Sequence, residues 1–189
     1  AVNGPGQERL GSVGLPLAHA GIRFAEDGEI VVTGSVCAGY LHDAGVTANG
    51  DWATGDIGYQ DVDGFLYITG RKRHMFITAF GRNVAPEWVE RELTLEPAIV
   101  QAIVYGEGRA QNVAVLVPRV ANGVAAAVAA ANTRLPDYAR VSDWIIADEA
   151  FTVANGLWTG TGRPRRGAIL ERYAPRLEAL YPPAPIQET

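Results

Sequence analysis

The sequence is poor in cysteine and long hydrophobic runs, and has no excess of basic residues. Its one cysteine, Cys37, excludes an intrachain disulfide and a cysteine-based zinc site, which fits a reducing compartment and a cytoplasmic location. No apolar run reaches the roughly 18 residues of a membrane-spanning helix, and nothing near Ala1 resembles a signal peptide. The net charge of −5 disfavours a nucleic-acid partner.

Lysine is as scarce as cysteine: Lys72 is the only one, and the other fifteen of the sixteen basic residues are arginines. No spacing of histidines and acids resembles a metal site, and no Ser-His-Asp arrangement can be argued. We therefore expect no protein-bound metal. What the chain does have is 48% hydrophobic and 20% charged residues in a length of 189, which suits a soluble globular protein of one domain, or one and a half.

The first third is typical of short strands joined by turns. Alternating residues 21–24 and 29–33 flank Glu26-Asp27-Gly28, which predicts a hairpin. Residues 65–68 are again strand-like, whereas the Gly-rich segment 41–52 predicts a loop. Residues 1 to about 70 are therefore expected to be all β.

Helices and strands alternate beyond residue 70. Pro86 suits the first position of a helix, and Val89, Leu93 and Trp88 would form its apolar face. Further elements are expected as strands 99–105 and 112–117, an alanine-rich helix 120–132, and a helix through Leu170–Tyr181 that ends at Pro182-Pro183. This pattern predicts an α+β fold: a small β-rich part, then a compact carboxyl-terminal domain with a small sheet flanked by helices.

The first segment with chemical potential is Trp52-Ala53-Thr54-Gly55-Asp56. An ionised carboxylate accepts two hydrogen bonds, which suits the vicinal hydroxyls of a ribose. An ordinary turn with an exposed aspartate explains the same residues.

The second segment is Gly70-Arg71-Lys72-Arg73, which lies between the two parts of different character. It is either a hinge with a cation near a phosphate or ribose, or a solvated charge run at a domain junction.

The third segment runs from Thr78 through Gly81 to Glu87. A glycine loop that leads into a helix can present backbone N–H groups and the positive helix end to a phosphate or a thin ligand. A routine strand-to-helix connection is the alternative.

The fourth segment, residues 155–166, holds three glycines and three arginines: Gly156, Gly160, Gly162, Arg163, Arg165 and Arg166. It is either a mobile anion-binding strap or a flexible surface loop.

In this order and at these distances, the four segments resemble the carboxyl-terminal portion of the adenylate-forming superfamily. The resemblance begins near residues 11–16, includes Gly28-Glu29-Ile30-Val31-Val32 and Gly39-Tyr40, and extends to Tyr173. The form Phe80-Gly81-Arg82-Asn83-Val84 is most similar to long-chain acyl-CoA synthetases.

The resemblance implies a two-step ligase reaction. A carboxylate attacks the α-phosphate of ATP, which brings Mg²⁺ with it, to give acyl-AMP and pyrophosphate. A thiol of coenzyme A or of an acyl carrier protein then displaces AMP. The resemblance also implies a domain boundary, with residues 1–71 as the last β subdomain of a large amino-terminal domain and residues 72–189 as a mobile carboxyl-terminal domain.

Site roles follow from the resemblance, residue by residue. Nucleotide binding is expected of Thr54, Asp56 and Arg71, with Asp56 on the ribose hydroxyls. The hinge is expected at Lys72 and Arg73. The thiol tunnel is expected to be lined by Gly81, Arg82 and Asn83.

Two departures from the family pattern matter. The phosphate loop and the acyl pocket are absent, so we expect a fragment that is inactive alone and whose amino-terminal part is missing. Arg163 stands where the family has its catalytic lysine, and arginine is planar, bulkier and permanently charged. The alternative function is therefore an adenylation-deficient homologue that binds a nucleotide or a partner protein.

Overall fold

The computed structural model describes residues 1–34, 51–120 and 122–181. The chain divides into two compact units, Ala1–Met75 and Phe76–Thr189. The boundary expected from the sequence, between residues 71 and 72, stays a prediction. Of the described helices, none is long and apolar enough to cross a membrane.

Some expectations fall on residues outside the described ranges. These are the ones concerning Cys37, Gly39-Tyr40 and most of the loop 41–52. The helix end expected at Pro182-Pro183 is wrong: the last described helix spans Arg166–Glu178, and the N–H groups of Leu180 and Tyr181 bond three residues back in turns.

The first unit is built on one antiparallel sheet in which each strand pairs with the next. Its strands are β1 (Ala20–Phe24), β2 (Glu29–Gly34), β3 (Trp52–Gln60) and β4 (Leu66–Arg71). The hairpin predicted from the alternating pattern is confirmed as β1 and β2. Its turn closes with Gly28 N–H donating to Ala25 O at 2.9 Å, and Gly28 has φ +80°, which favours glycine.

Strand β3 corrects the sequence prediction. Residues 52–56 were expected to be the end of a loop and a compact turn, yet they lie inside a nine-residue strand that pairs on both sides. Ala53 is the partner of Val31 and Ile57 is the partner of Glu29, so residues 54–56 stand opposite Ile30 alone. We call residues 54–56 the β3 bulge. A bulge of this kind leaves backbone groups unpaired and redirects side chains.

Within residues 76–120 and 122–181, the second unit contains a two-stranded hairpin, a three-stranded sheet and three α-helices. The elements are β5 (Phe76–Ile77), β6 (Asn83–Val84), α1 (Pro86–Thr94), β7 (Ile99–Tyr105), β8 (Asn112–Pro118), α2 (Val124–Arg134), β9 (Val141–Ile146) and α3 (Arg166–Glu178). Strand β8 lies in the centre, antiparallel to β7 and parallel to β9.

Two apolar clusters cover the two faces of this sheet. Alternate strand residues such as Val104 and Leu116 pack with helices α1 and α2. The intervening residues, such as Val115, pack with Ile169 and Tyr173 of α3. Because β8 is covered on both faces, its sequence is a continuous apolar run and not an alternating one. The predicted α+β fold is confirmed.

Two details of the second unit differ from expectation. Strand β9 was not predicted, because its exposed Ser142 and Asp143 interrupt the apolar pattern. Helix α2 begins at Val124 and not at Val120, because Gly123 at its N-cap has φ +103°, which a right-handed helix excludes.

Candidate functional site

The β3 bulge is held in shape by the hydroxyl group of Thr54. Its Oγ1 donates to Ile30 O at 2.7 Å and accepts the Asp56 N–H at 3.1 Å. The hydroxyl proton is therefore committed to the neighbouring strand, so a nucleotide contact by this side chain is restricted to accepting a hydrogen bond. Gly55 between them has φ +71°, a conformation that L side chains rarely adopt.

Asp56 and Arg71, both predicted to bind the nucleotide, are brought together as direct cross-strand partners on β3 and β4. Arg71 Nε lies 2.7 Å from Asp56 Oδ1, so the two form an ion pair. The contact is not aligned as a hydrogen bond, and the buried Oδ1 has no hydrogen-bond partner. The Asp56 carboxylate therefore has acceptor capacity that the described residues leave unused.

Lys72 opens a 3₁₀ turn, Lys72–His74, that follows β4 directly. Its Nζ lies 2.6 Å from Asp27 Oδ2 and 2.7 Å from Glu29 Oε2. The hydrogen bond from Lys72 holds the pKa of Asp27 below its usual value, and the reciprocal bond raises the pKa of Lys72. The ammonium is thus paired with two carboxylates, while half of the side chain is exposed to solvent. Arg73 is exposed, and its side chain forms no ion pair with any residue in the described ranges.

Glu29 is a residue of this site that the sequence analysis missed. Its buried carboxylate accepts the Gly55 N–H through Oε1 at 2.9 Å and contacts Lys72 Nζ through Oε2. The available signal was an acidic residue opening an otherwise apolar strand. Nothing in that local pattern indicates that its partners lie 26 and 43 residues further along the chain.

The predicted thiol-tunnel residues lie at the tip of the β5–β6 hairpin, where Gly81, Arg82 and Asn83 are all exposed. The Gly81 N–H donates to Thr78 O at 2.9 Å, and the Arg82 N–H donates to Thr78 Oγ1 at 3.2 Å. The expectation that this glycine loop offers free N–H groups to a phosphate is therefore wrong for these two groups. The tip presents the side chains of Arg82 and Asn83 instead.

Arg163 lies in an exposed turn in front of α3. The Thr159 N–H donates to Arg163 O at 2.7 Å, and the Arg163 N–H donates to Thr159 Oγ1 at 2.9 Å, so the backbone of the turn is closed at both ends. The Arg163 guanidinium makes no hydrogen bond or ion pair within the described part of the chain. Its charge is therefore held on an ordered turn and faces solvent.

Arg166 has a different role from the anion-binding strap considered for this segment. Its Nη2 lies 2.6 and 2.7 Å from the two carboxylate oxygens of Glu90, and its Nη1 donates to Val104 O at 3.1 Å. Glu90 Oε1 also accepts the Val104 N–H at 2.7 Å. The two side chains are only 15% and 10% exposed.

The electrostatics of Glu90 follow from this enclosure. Burial raises the pKa of Glu90, while Arg166 and the Val104 N–H oppose that shift. Arg166 thus fastens the start of α3 to α1 and β7, and it is a structural residue.

In the parts of the chain that the structure describes, no group of three or more His, Cys, Asp or Glu side chains is placed to hold a metal ion.

A family model and a curated relative indicate the same family for this chain. Residues 74–184 match the model of the AMP-binding enzyme C-terminal domain. A long-chain-fatty-acid–CoA ligase, FadD15 of Mycobacterium tuberculosis, is 31% identical over 92% of this chain and 34% of its own length. The chain thus spans about a third of the length of this curated relative.

Solved structures with the same fold include an adenylation domain and a CoA synthetase. The adenylation domain of a carboxylate reductase from Mycobacterium chelonae superimposes with a TM-score of 0.74 at 22% identity, over 88% of this chain and 31% of that one. The o-succinylbenzoate CoA synthetase of Bacillus subtilis, in complex with its acyl-adenylate, gives 0.70 at 27% identity, over 85% and 36%.

Proposed function

The chain belongs to the AMP-binding enzyme C-terminal domain family, and we propose that it is the carboxyl-terminal part of an ATP-dependent acid–thiol ligase. In the first step a carboxylate oxygen bonds to the α-phosphorus of Mg·ATP and pyrophosphate leaves. In the second step the sulfur of coenzyme A, or of a carrier-protein thiol, bonds to the acyl carbon, AMP leaves, and the thiol proton is released. The CoA ligase among its relatives supports this reaction class.

The observation that carries the proposal is the cross-strand pair of Asp56, in the β3 bulge, and Arg71, at the end of β4. The unused acceptor capacity of the Asp56 carboxylate suits two ribose hydroxyls. Arg71 is 40% exposed, so its guanidinium has donors left for a ribose or phosphate oxygen. Thr54 supports the bulge.

The remaining roles concern the movement between the two steps. Lys72 and Arg73 form the hinge, and Gly81, Arg82 and Asn83 line the thiol tunnel. Arg163 approaches the α-phosphate, where a fixed positive charge stabilises the charge that develops on the transferring phosphoryl group. A cytoplasmic location stays a prediction from the single cysteine.

The test uses the full-length ligase and measures carboxylate-dependent pyrophosphate release with ATP and magnesium across a broad panel of carboxylates. We expect release with at least one carboxylate, and no turnover by the isolated 189-residue chain. Absence of release with every carboxylate would overturn the first step, and turnover by the isolated chain would refute its dependence on a missing part.

The second candidate function is a homologue that binds nucleotide or a partner without adenylation, and Arg163 in the lysine position is what favours it. Arg163→Lys discriminates the two. A large gain in pyrophosphate release would mean that the native residue limits adenylation. An unchanged rate in an active ligase would mean either that Arg163 already acts as the lysine does or that it has no part in the step. Arg165→Lys is the matched control, because Arg165 is also exposed.

A further inference from the structure

Glu29 lies where three parts of the first unit meet: the start of β2, the β3 bulge and the turn after β4. The residue is only 8% exposed, and both of its carboxylate oxygens have partners. Oε1 accepts the Gly55 N–H at 2.9 Å, and Oε2 lies 2.7 Å from Lys72 Nζ. A buried carboxylate with two such donors is held in one orientation.

The contact with Gly55 bears on the adjacent Asp56. In the β3 bulge the regular ladder to β2 is interrupted, so the Gly55 N–H has Glu29 as its acceptor in place of a strand carbonyl. Gly55 has φ +71°, and because glycine lacks a Cβ atom its backbone is free to adopt other conformations as well. Without Glu29 the bulge would keep the two contacts of Thr54 Oγ1 but lose the acceptor that fixes the Gly55 N–H.

We propose that Glu29 is a positioning residue for nucleotide binding: it fixes the β3 bulge so that Asp56 meets the ribose hydroxyls, and Lys72 is its counter-ion. This inference rests on the proposed role of Asp56. It adds a physical link between the predicted hinge and the ribose-binding carboxylate, because one side chain contacts both.

The experiment compares the Kd of AMP with the Kd of 2′-deoxy-AMP in the full-length ligase. Binding is measured instead of turnover, because Lys72 belongs to the predicted hinge. A charge-assisted hydrogen bond from the 2′-hydroxyl to Asp56 should make the wild type prefer AMP by about tenfold or more. We expect Glu29→Gln to lower that preference several-fold. Glu26→Gln is the matched control, since Glu26 is an exposed acid in the adjacent turn, and it should leave the preference unchanged.

A rescue distinguishes positioning from general stability. Glutamine has one carbonyl oxygen and one NH₂ group, whereas the Gly55 N–H and the Lys72 ammonium are both donors, so one donor is left facing another. In the double variant Glu29→Gln with Lys72→Met that conflict is gone, and the amide oxygen is free to accept the Gly55 N–H. We therefore expect the double variant to recover part of the preference that Glu29→Gln loses.

Hydrogen exchange on the full-length ligase provides a second readout that needs no nucleotide. The Gly55 amide should exchange faster in Glu29→Gln, and also in Glu29→Asp, whose shorter side chain cannot span both donors. Unchanged exchange in both variants would overturn the positioning role.

The possible failures are separable. A wild type that does not distinguish the two nucleotides overturns the ribose role of Asp56 on which the inference rests. A wild type that prefers AMP, together with a Glu29→Gln variant that keeps the full preference, overturns the inference and leaves the proposed function standing.

Discussion

Replacing Arg166 by methionine should destabilise the second unit strongly, because it leaves the buried carboxylate of Glu90 without its counter-ion. Three contacts disappear: two from Nη2 to the carboxylate oxygens at 2.6 and 2.7 Å, and one from Nη1 to Val104 O at 3.1 Å. Adding the free energy of a full charged hydrogen bond for each of the three contacts would count the desolvation of the same charges more than once. Removing one partner of a buried pair costs about 3–5 kcal/mol as a whole, and that is the free energy of unfolding we expect to be lost.

The loss should depend on pH. Burial already raises the pKa of Glu90 against the opposing influence of Arg166, so the pKa rises further in Arg166→Met. Between pH 4.5, the ordinary pKa of this carboxyl group, and its raised pKa in the fold, Glu90 is protonated in the folded variant but ionised in the unfolded chain. The variant's free energy of unfolding therefore falls as pH rises from 4.5 to the raised pKa. The deficit relative to wild type is therefore larger at pH 8 than at pH 5.

The assay is urea unfolding at both pH values, followed by tryptophan fluorescence. Trp88, Trp144 and Trp158 pack against the two apolar clusters of the second unit, so they report its unfolding. Arg165→Met is the matched control: it removes an exposed arginine at the preceding position, where we expect a change within about 0.5 kcal/mol.

Two outcomes would refute this reasoning. One is a loss below about 1 kcal/mol in Arg166→Met, which is what a surface ion pair gives. The other is an equal loss at the two pH values. The double variant Glu90→Met with Arg166→Met should be more stable than Arg166→Met alone, because apolar side chains of similar volume remove the uncompensated charge.

Asp56→Asn should raise the Kd of AMP by roughly 10–100-fold, because the charged hydrogen bonds to the ribose are weakened. The Kd of 2′,3′-dideoxy-AMP, which lacks both ribose hydroxyls, should stay nearly unchanged. An equal rise in Kd for both nucleotides would argue against a ribose contact. Gly106→Ala should lower the free energy of unfolding by about 1–3 kcal/mol, because an added methyl group meets Asn112 Oδ1 and the Phe76 ring. Gly160→Ala is its control in urea unfolding, because the space around Gly160 is open, and similar losses in the two variants would contradict the packing argument.

Elements with strong local patterns were predictable from the sequence. Strand β7 has the predicted bounds, and helix α1 begins at Pro86 with Val89 and Leu93 fully buried, because a period of 3.6 or an unbroken apolar run is visible in a short window. Strand β3 was missed, since its glycines and polar residues resemble a turn until β2 and β4 pair with it on both sides.

The sequence by itself therefore determined the fold class, most of the secondary structure and, through the order of its motifs, the family and the residues Asp56, Arg71 and Arg163 as candidates. Only the tertiary structure decided which charged side chains form ion pairs and which face solvent. Lys72 is bound to Glu29 and Arg166 to Glu90, partners 43 and 76 residues apart, whereas Arg163 stays exposed. Ion pairs form through space between distant segments, so no local periodicity reports them. Burial further strengthens the attraction between Arg166 and Glu90, whose side chains are 15% and 10% exposed.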